Sequence, residues 1–383
     1  MVSDRAYLKG ARVGGGLGRL RAEIARILAV FHAAGGVEVE PAALQPADLL
    51  LDLYGEDIRA RAFVTSDEGA ELMLRPDFTV PIARLHMDGG AEPARYAYCG
   101  PVWRRQEIGS SRAREYLQAG FEVFQDGDPA ATDAEVMALI VETVGDAPVD
   151  FVTGDMGLAL AAIDALETSL ARRKALRRHV WRPAKFHDLL RRYGAGQPDL
   201  TLRRAEIIAA AAEGRVPEMV AAAGAPVGLR TLDDIASRVA RLAEEAATPP
   251  LTGGQVDLLE AVLGVADTSA RALTRYRDLA ADAPALRPAV DRFAARIEAL
   301  DRAGLDPETL PFEASFGRTA LEYYDGFVFG AMARGRSDLP PIANGGRYDA
   351  LTRKLGQGRG IAAVGAIIRP EALLSLRGGA ACA

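Results

Sequence analysis

The sequence has very little cysteine, which excludes a disulfide-stabilised fold and a cysteine metal site. Its two cysteines, Cys99 and Cys382, are far apart and form no CxxC pair. Neither a disulfide framework nor a cysteine zinc knuckle can be built from them, and this usage fits a reducing compartment. The histidines show no HExxH or Cys/His ligand spacing, so no metal site is predicted. The four histidines are His32, His86, His179 and His187.

A long apolar run and a concentrated basic segment are also missing. No window approaches the roughly 20 apolar residues that cross a bilayer, and the N-terminus has no apolar stretch behind a basic start. We therefore expect no membrane association and a cytoplasmic location. The net charge is −6, with Lys and Arg spread along the chain, which disfavours tRNA as a partner. Charge alone leaves the question open, because one local basic face can contact a phosphate backbone.

What the sequence does contain is enough apolar residues for a sizeable core. It has 383 residues, of which 49% are hydrophobic and 26% charged, as in a folded protein larger than one ordinary domain. Apolar residues at helical spacing between Leu17 and Phe31 predict an amphipathic helix that ends at Gly35. From Val37 onwards, short strand signals follow one another with turn residues between them. This succession predicts an antiparallel sheet.

The periodicity changes near the middle of the chain, which divides it into regions. Residues 155–307 are rich in Ala, Leu and Arg at helical spacing, and strand signals return after them. We predict an α+β protein in which residues 1–154 and 308–376 form one sheet domain that is split in sequence. Residues 155–307 would form a helical insertion domain of ordinary size, and residues 377–383 a short tail.

Two segments in the first half carry polar residues suited to a ligand. LRPDFTVPIAR, at residues 74–84, would place Asp77 and Thr79 on one face if it begins extended, although an Asp after Pro also commonly caps a helix. The next segment reads as a hairpin with a polar turn. Strand alternation would place Arg104, Gln118 and Glu122 on the same side of that hairpin. A solvated hairpin with scattered charge is the alternative.

A third segment, RTALEYYDGFVF, is followed by NGGRYDAL and contains adjacent tyrosines beside glycine-rich turns. Tyr323 and Tyr324 could offer ring faces and hydroxyl groups to an aromatic ligand. Taken singly, each is also typical of a half-buried strand residue. The order of the three segments along the chain carries more information than any one of them.

That order resembles the class II aminoacyl-tRNA synthetases of the histidyl type, over nearly the whole chain. LRPDFT is similar to LRPEGT of that family, LEYY to LDYY, and NGGRYDAL to GGRYDGL. The resemblance implies an antiparallel sheet core flanked by helices, and a homodimer through the segment around Pro41. It also implies a histidine site in which two tyrosines face the imidazole and four residues hold the ammonium group. The tyrosines are Tyr323 and Tyr324, and the other four are Asp77, Thr79, Gln118 and Glu122.

The sequence departs from the family where ATP would react. Adenylation needs several fixed cations around the phosphoryl oxygens. Arg104 is present, but Gln106 stands where the family has the Glu that contacts adenine, and the catalytic Arg before LDYY falls on Thr319. Arg318 is one residue away, and in a strand that shift would point it to the opposite face.

The third family motif, similar to GLER, departs as well. Arg369 replaces the Gly over which a nucleotide would lie, and Ala372 replaces the final Arg. The sequence ends shortly after this motif, so we expect no anticodon-binding domain. No catalytic residues and no cofactor are therefore expected.

Together with these departures, the resemblance implies a non-catalytic subunit with a histidine pocket. Its expected partner is the short-form catalytic ATP phosphoribosyltransferase of histidine biosynthesis, within a hetero-oligomer whose activity responds to free histidine. Two alternatives remain, a divergent histidyl-tRNA synthetase-like enzyme that forms aminoacyl adenylates and a tRNA-sensing pseudo-synthetase.

Overall fold

A computed structural model describes residues 14–47, 60–107, 109–110, 112–194, 202–224, 231–319 and 323–378. The chain divides into two compact units. One takes its residues from Met1–Leu158 and Gly264–Ala383, and the other is Ala159–Leu263. No helix among the described residues is long and apolar enough to span a membrane.

The first unit is built on a sheet that has nine strands in the described part of the chain. Their spatial order is β1-β5-β6-β12-β11-β10-β7-β9-β8, and the pairings from β5 through to β7 are all antiparallel. The β1–β5 and β7–β9 pairings are parallel, and the β9–β8 pairing at the second edge is antiparallel. The strands are β1 Val37–Glu38, β5 Ala94–Trp103, β6 Glu115–Phe124, β7 Val149–Asp155, β8 Ala266–Thr268, β9 Pro311–Glu313, β10 Phe327–Ala333, β11 Ala343–Arg347 and β12 Ala363–Ile368.

A small antiparallel sheet of three strands, in the order β2-β4-β3, accompanies the large one. Its strands are β2 Leu44–Pro46, β3 Val64–Asp67 and β4 Ala70–Leu74. Arg75, directly after β4, ties this sheet to its surroundings, because its guanidinium donates to the carbonyl groups of Pro41 and Pro101. The segment around Pro41 is thus anchored next to β5.

The apolar core lies on one face of the large sheet, under long helices. Helix α1 spans Gly14–Ala33, as its apolar spacing predicted, and buries Ile27 and Phe31 against the sheet. Helix α3, Pro129–Val144, begins at Asp128, whose carboxylate accepts from the first two helical N–H groups, and Pro129 fits the first position. Alternate residues of β6, such as Phe121, complete this core.

A buried network of ion pairs fixes a third helix on this face. Helix α12, Arg287–Arg302, carries Arg296, which donates to Asp133 of α3 at 2.7 Å and to Asp155 of β7. Arg347 of β11 also donates to Asp133, at 2.9 Å. All four side chains are almost fully buried. Removing one partner would leave an uncompensated buried charge, so the network specifies how α12 docks.

Two shorter helices flank the opposite face of the sheet, where polar residues gather. Helix α2 spans Thr79–Met87, and helix α13 spans Asp349–Leu355. The C-terminal helix α14 is Pro370–Leu376.

The second unit is helical, as predicted, but its C-terminal boundary differs from the predicted insertion, residues 155–307. Residues 264–307 lie in the sheet unit, because β8 pairs with β9 and α12 is locked to α3 and β7. The remaining helices begin with α4, Met156–Asp164, in which the division falls. They continue as α5 Leu170–His179, α6 Pro183–Gly194, α7 Leu202–Ala212, α8 Val216–Ala222, α9 Leu232–Ala247, α10 Gly253–Leu263 and, in the sheet unit, α11 Ser269–Asp282.

One buried arginine organises the second unit. Arg172 of α5 is 3% exposed and donates to the Glu245 carboxylate on α9 at 3.2 Å and to the Pro249 carbonyl at 2.7 Å. Its guanidinium also lies 4.9 Å from the ring centre of Tyr193. These contacts join α5, α6 and α9.

Candidate functional site

The candidate site lies on the sheet face opposite the apolar core. Alternation along β6 sends Ala119 and Phe121 into the core and places Gln118 and Glu122 on the other side. Both polar side chains are nevertheless buried, with Gln118 2% exposed and Glu122 completely enclosed. The sequence prediction that these two residues share a face is therefore correct in its geometry.

Glu122 is held by three hydroxyl groups from three different elements. The hydroxyl of Thr79 on α2 donates to Oε1 of Glu122 at 2.7 Å, and that of Tyr98 on β5 donates to the same oxygen at 3.0 Å. The hydroxyl of Tyr348, just before α13, donates to Oε2 at 2.6 Å. The carboxylate thus has a fixed orientation, and its remaining lone pairs can still accept from a ligand.

Burial dominates the electrostatics of Glu122. Removal from water raises the pKa of Glu122 to about 7, although the three hydroxyl donors act to lower it, and the nearby Asp77 carboxylate raises it further. Burial also raises the pKa of Tyr98 and of Tyr348, so both phenols keep their protons and act as donors. A cation placed beside Glu122 would favour its ionised form.

Two glycines make room for this arrangement. Gly365 of β12 pairs with Glu122, and a Cβ at Gly365 would overlap the Glu122 carboxylate. Gly120 of β6 pairs with Tyr98, and a Cβ there would overlap the Tyr98 phenol. The site face can accommodate a carboxylate and a ring flat against the strands only because these positions carry no side chain.

Asp77 and Thr79 meet the site at the start of α2. Asp77 is 2% exposed, and its Oδ1 accepts from the N–H of Val80 in the first turn of α2 at 3.3 Å, although the N-cap position itself belongs to Phe78. Its charge nevertheless raises the pKa of Glu122, Tyr98 and Tyr324, so the carboxylate lies near all three. Arg104 is half-buried beside this turn and donates through Nε to the Pro76 carbonyl at 2.9 Å.

The adjacent tyrosines Tyr323 and Tyr324 are buried in the turn before β10 rather than in a strand. Their ring centres are 4.9 Å apart at 63°, and Tyr323 lies 6.0 Å from Tyr348 in an edge-to-face arrangement. Tyr324 also forms side-chain hydrogen bonds with Tyr323 and Asn344. Residues 320–322, which include the Leu and Glu of LEYY, lie outside the described residues. The structure thus brings the two tyrosines to the cluster around Glu122, through Tyr348.

Comparison with known proteins shows the family to which this chain belongs. The family model described as histidyl-tRNA synthetase matches residues 18–260 and 231–373. Curated relatives from Brucella ovis and Brucella canis, each named ATP phosphoribosyltransferase regulatory subunit, are 35% identical over 369 residues, which is 89% of this chain and 93% of each relative. This chain belongs to the ATP phosphoribosyltransferase regulatory subunits. Membership in that family makes its role regulatory and not catalytic, as the altered nucleotide motifs indicated.

Solved structures support the fold of this regulatory subunit. A structure described as an ATP phosphoribosyltransferase regulatory subunit/histidyl-tRNA synthetase from Bacillus halodurans C has a TM-score of 0.67 and 20% identity, over 96% of this chain and 81% of that chain. A histidine--tRNA ligase subunit from Alicyclobacillus acidocaldarius has a TM-score of 0.60 and 24% identity, over 97% of both chains. The predicted class II synthetase-like sheet core with flanking helices is therefore confirmed.

The local structure at Arg318 differs from the predicted strand. We expected a strand at Arg318, so that a one-residue shift would turn the side chain to the other face. Residues Phe316–Thr319 instead form a 3₁₀ helix, in which strand alternation does not apply. The Arg318 side chain is 4% exposed, and burial lowers its pKa. Thr319 still stands where the family has its catalytic Arg. The direction of the Arg318 side chain, however, does not follow from strand alternation, because the segment is not a strand.

Sequence reasoning missed several residues that shape this part of the regulatory subunit. Tyr98 and Tyr348 bind Glu122, and Asn344 binds both Tyr324 and Arg369. Tyr348 belongs to the quoted NGGRYDAL segment, so the signal was present but carried no assigned role. No sequence signal identified Tyr98, because its place on the face of Glu122 depends on the pairing of Tyr98 with Gly120 across the two strands.

Proposed function

We propose that this chain, as a homodimer within a hetero-oligomer, activates a short-form catalytic ATP phosphoribosyltransferase in the cytoplasm. Free histidine would bind the site described above and reduce that activation, which would make the chain the feedback sensor of the first step of histidine biosynthesis. The regulatory role follows from membership in the family. The name of the relatives indicates that the regulated enzyme is ATP phosphoribosyltransferase.

The observation that carries the histidine assignment is a set of acceptors enclosed by protein. Glu122 and Asp77 are buried acids, and among the described residues Oε1 of Gln118 is buried and accepts no hydrogen bond. A buried acceptor without a donor costs free energy. An ammonium group, with three donors, would satisfy these oxygens and compensate the charge of the acids.

Aromatic rings support the assignment of an imidazole ligand. Tyr323, Tyr324 and Tyr348 pack edge to face beside Glu122 and present ring edges and hydroxyl groups in a small space. Such a wall favours a planar, weakly polar side chain with hydrogen-bonding nitrogens over an aliphatic one. Asp77, Thr79, Gln118 and Glu122 would then hold the ammonium group, and Arg104 would lie at the rim.

The decisive experiment is reconstitution. A purified short-form catalytic subunit should gain activity when this chain is added, and histidine should lower the activity of the mixture more than that of the catalytic subunit alone. Sedimentation of the isolated chain should give a dimer at micromolar concentration. A catalytic subunit that is equally active with and without the chain would refute activation, and a monomer would refute the assembly.

Histidine binding is tested separately by calorimetry. The wild-type chain should bind with a Kd of roughly 10–1000 μM, an affinity suited to a metabolite sensor. Gln118→Met keeps the volume but removes the buried acceptor, so affinity should fall about tenfold. The exposed Arg334→Met variant is the control and should bind as wild type does. Wild-type silence in both the isolated chain and the complex would refute the histidine site.

A further inference from the structure

A positively charged group lies beside the site, at the end of β12. Ile367 of β12 pairs with Gly120 of β6 on the site face. The next alternate residue, Arg369, has an extended conformation and precedes α14. Continuing the register places Arg369 opposite Gln118, so its side chain leaves the strand on the same face as Gln118.

The contacts of Arg369 confirm this direction. Its guanidinium donates to Oδ1 of Asn344 at 3.0 Å and to the Pro341 carbonyl. Asn344 pairs with Ile367 and hydrogen-bonds Tyr324, so the guanidinium lies within one side chain of the tyrosine pair. It also forms a side-chain hydrogen bond with Tyr116, on the same face of β6 as Gln118.

Arg369 has no carboxylate partner within the described ranges. The titratable groups that act on its pKa are the phenols of Tyr116 and Tyr324 and the guanidinium of Arg104. Burial lowers the pKa of Arg369 to about 10, Tyr116 opposes this change, and Arg104 adds to it. Arg369 therefore stays charged at neutral pH in a poorly solvated position near a second cation. Two guanidinium groups in this relation form a site for an anion.

The site combines groups of opposite polarity. Gln118 and Asp77 offer oxygen acceptors, and Arg369 and Arg104 offer guanidinium donors. A free α-amino acid is a zwitterion that carries an ammonium and a carboxylate on the same carbon. It satisfies both kinds of group at once, whereas an amine or a simple anion satisfies only one.

We propose that Arg369, with Arg104 beside it, binds the α-carboxylate of the amino acid whose ammonium group lies against Gln118 and Asp77. This inference rests on the proposed histidine site and adds a specificity-determining residue to it. Arg369 replaces a glycine of the synthetase motif, so the substitution that removes space for a nucleotide also supplies a carboxylate ligand. The site then requires a free carboxylate and rejects amino acids that are esterified or reduced there.

The test compares two ligands on two proteins by calorimetry. Histidinol has the ammonium and imidazole groups of histidine but an alcohol in place of the carboxylate. Wild type should bind histidine at least tenfold more tightly than histidinol. Arg369→Met should weaken histidine binding ten- to hundredfold and leave histidinol binding unchanged, so that the two ligands become equivalent. Arg369→Lys keeps the charge but loses the fork of donors, so its affinity for histidine should lie between those of wild type and Arg369→Met.

The possible failures are distinguishable. If wild type binds neither ligand, the proposed histidine site itself fails. If histidine binds but Arg369→Met and Arg369→Lys weaken both ligands equally, or weaken neither, the carboxylate assignment is overturned. Arg334→Met controls for loss of an exposed arginine and should match wild type.

A titration with inorganic phosphate tests whether the two arginines bind a free anion instead of the carboxylate of histidine. Competition with histidine but not with histidinol supports the assignment, and phosphate that binds alongside histidine overturns it.

Discussion

Replacing Glu122 with Gln tests the physical basis of the site. The substitution keeps the size of the side chain but removes its ability to ionise. Because burial raises the pKa of Glu122 from 4.5 to about 7, ionisation of the folded protein costs about 3 kcal/mol more than ionisation of the unfolded chain. The folded state holds the proton more tightly, so this stability is present below pH 4.5 and is lost as pH rises to about 7.

The assay is urea unfolding of wild type and Glu122→Gln at pH 5 and pH 8. Other titrating groups contribute equally to both proteins, so their effects cancel in the difference between the two free energies of unfolding. Between pH 5 and pH 8 the free energy of unfolding of the variant should rise by about 2.5 kcal/mol relative to that of wild type. A difference that stays within about 0.5 kcal/mol between the two pH values would show that Glu122 has an ordinary pKa, which would refute the reasoning.

Histidine binding should be coupled to the protonation of Glu122. A histidine ammonium beside Glu122 favours the carboxylate, so binding at pH 7 should release up to about half a proton from wild type that Glu122→Gln does not release. Calorimetry in buffers of different ionisation enthalpy measures the release, and protons that come from histidine itself are common to both proteins. Equal release by the two proteins would mean that the ligand does not contact Glu122.

Three further outcomes follow from the fold and the altered motifs. Gly365→Ala should destabilise by about 3 kcal/mol or more in urea unfolding, because its Cβ overlaps the Glu122 carboxylate, while Gly18→Ala, with open space in α1, should be neutral or slightly stabilising. Arg296→Met should cost about 3–5 kcal/mol because it leaves buried acids uncompensated, whereas Arg334→Met, which removes an exposed ion pair, should cost less than about 1 kcal/mol. Histidine-dependent pyrophosphate exchange should equal a protein-free control, and a clear rate would contradict the non-catalytic role.

The parts of the site that sequence could predict are those set by local periodicity. Strand alternation along β6 determines that Gln118 and Glu122 share a face, and the helical spacing of α1 determines which of its residues are buried. The order of motifs along the chain indicated the fold, because several separated segments match one family arrangement. None of this required knowledge of which strands become neighbours.

The parts that sequence could not predict depend on non-local pairing. Glu122 is bound by Thr79, Tyr98 and Tyr348, which are separated from it by 43, 24 and 226 residues. No periodicity links such distant positions. The C-terminal boundary of the helical unit could not be predicted from the sequence for a related reason. Helix α12 has the same helical pattern as the insertion, and only its buried ion pairs with Asp133 and Asp155 join it to the sheet unit.

The free energy lost on ionising the buried Glu122 carboxyl group indicates a functional role for that group. A fully buried acid that loses about 3 kcal/mol on ionisation is a liability for a fold whose whole stability is about 5–15 kcal/mol. Glutamine would fill the same space, and Thr79, Tyr98 and Tyr348 could rotate their hydroxyl groups to suit it. A site built only for stability has no need of a carboxylate there. One that must bind an ammonium group does, because the cation compensates the charge that burial penalises, and binding then recovers free energy that the empty protein gives up.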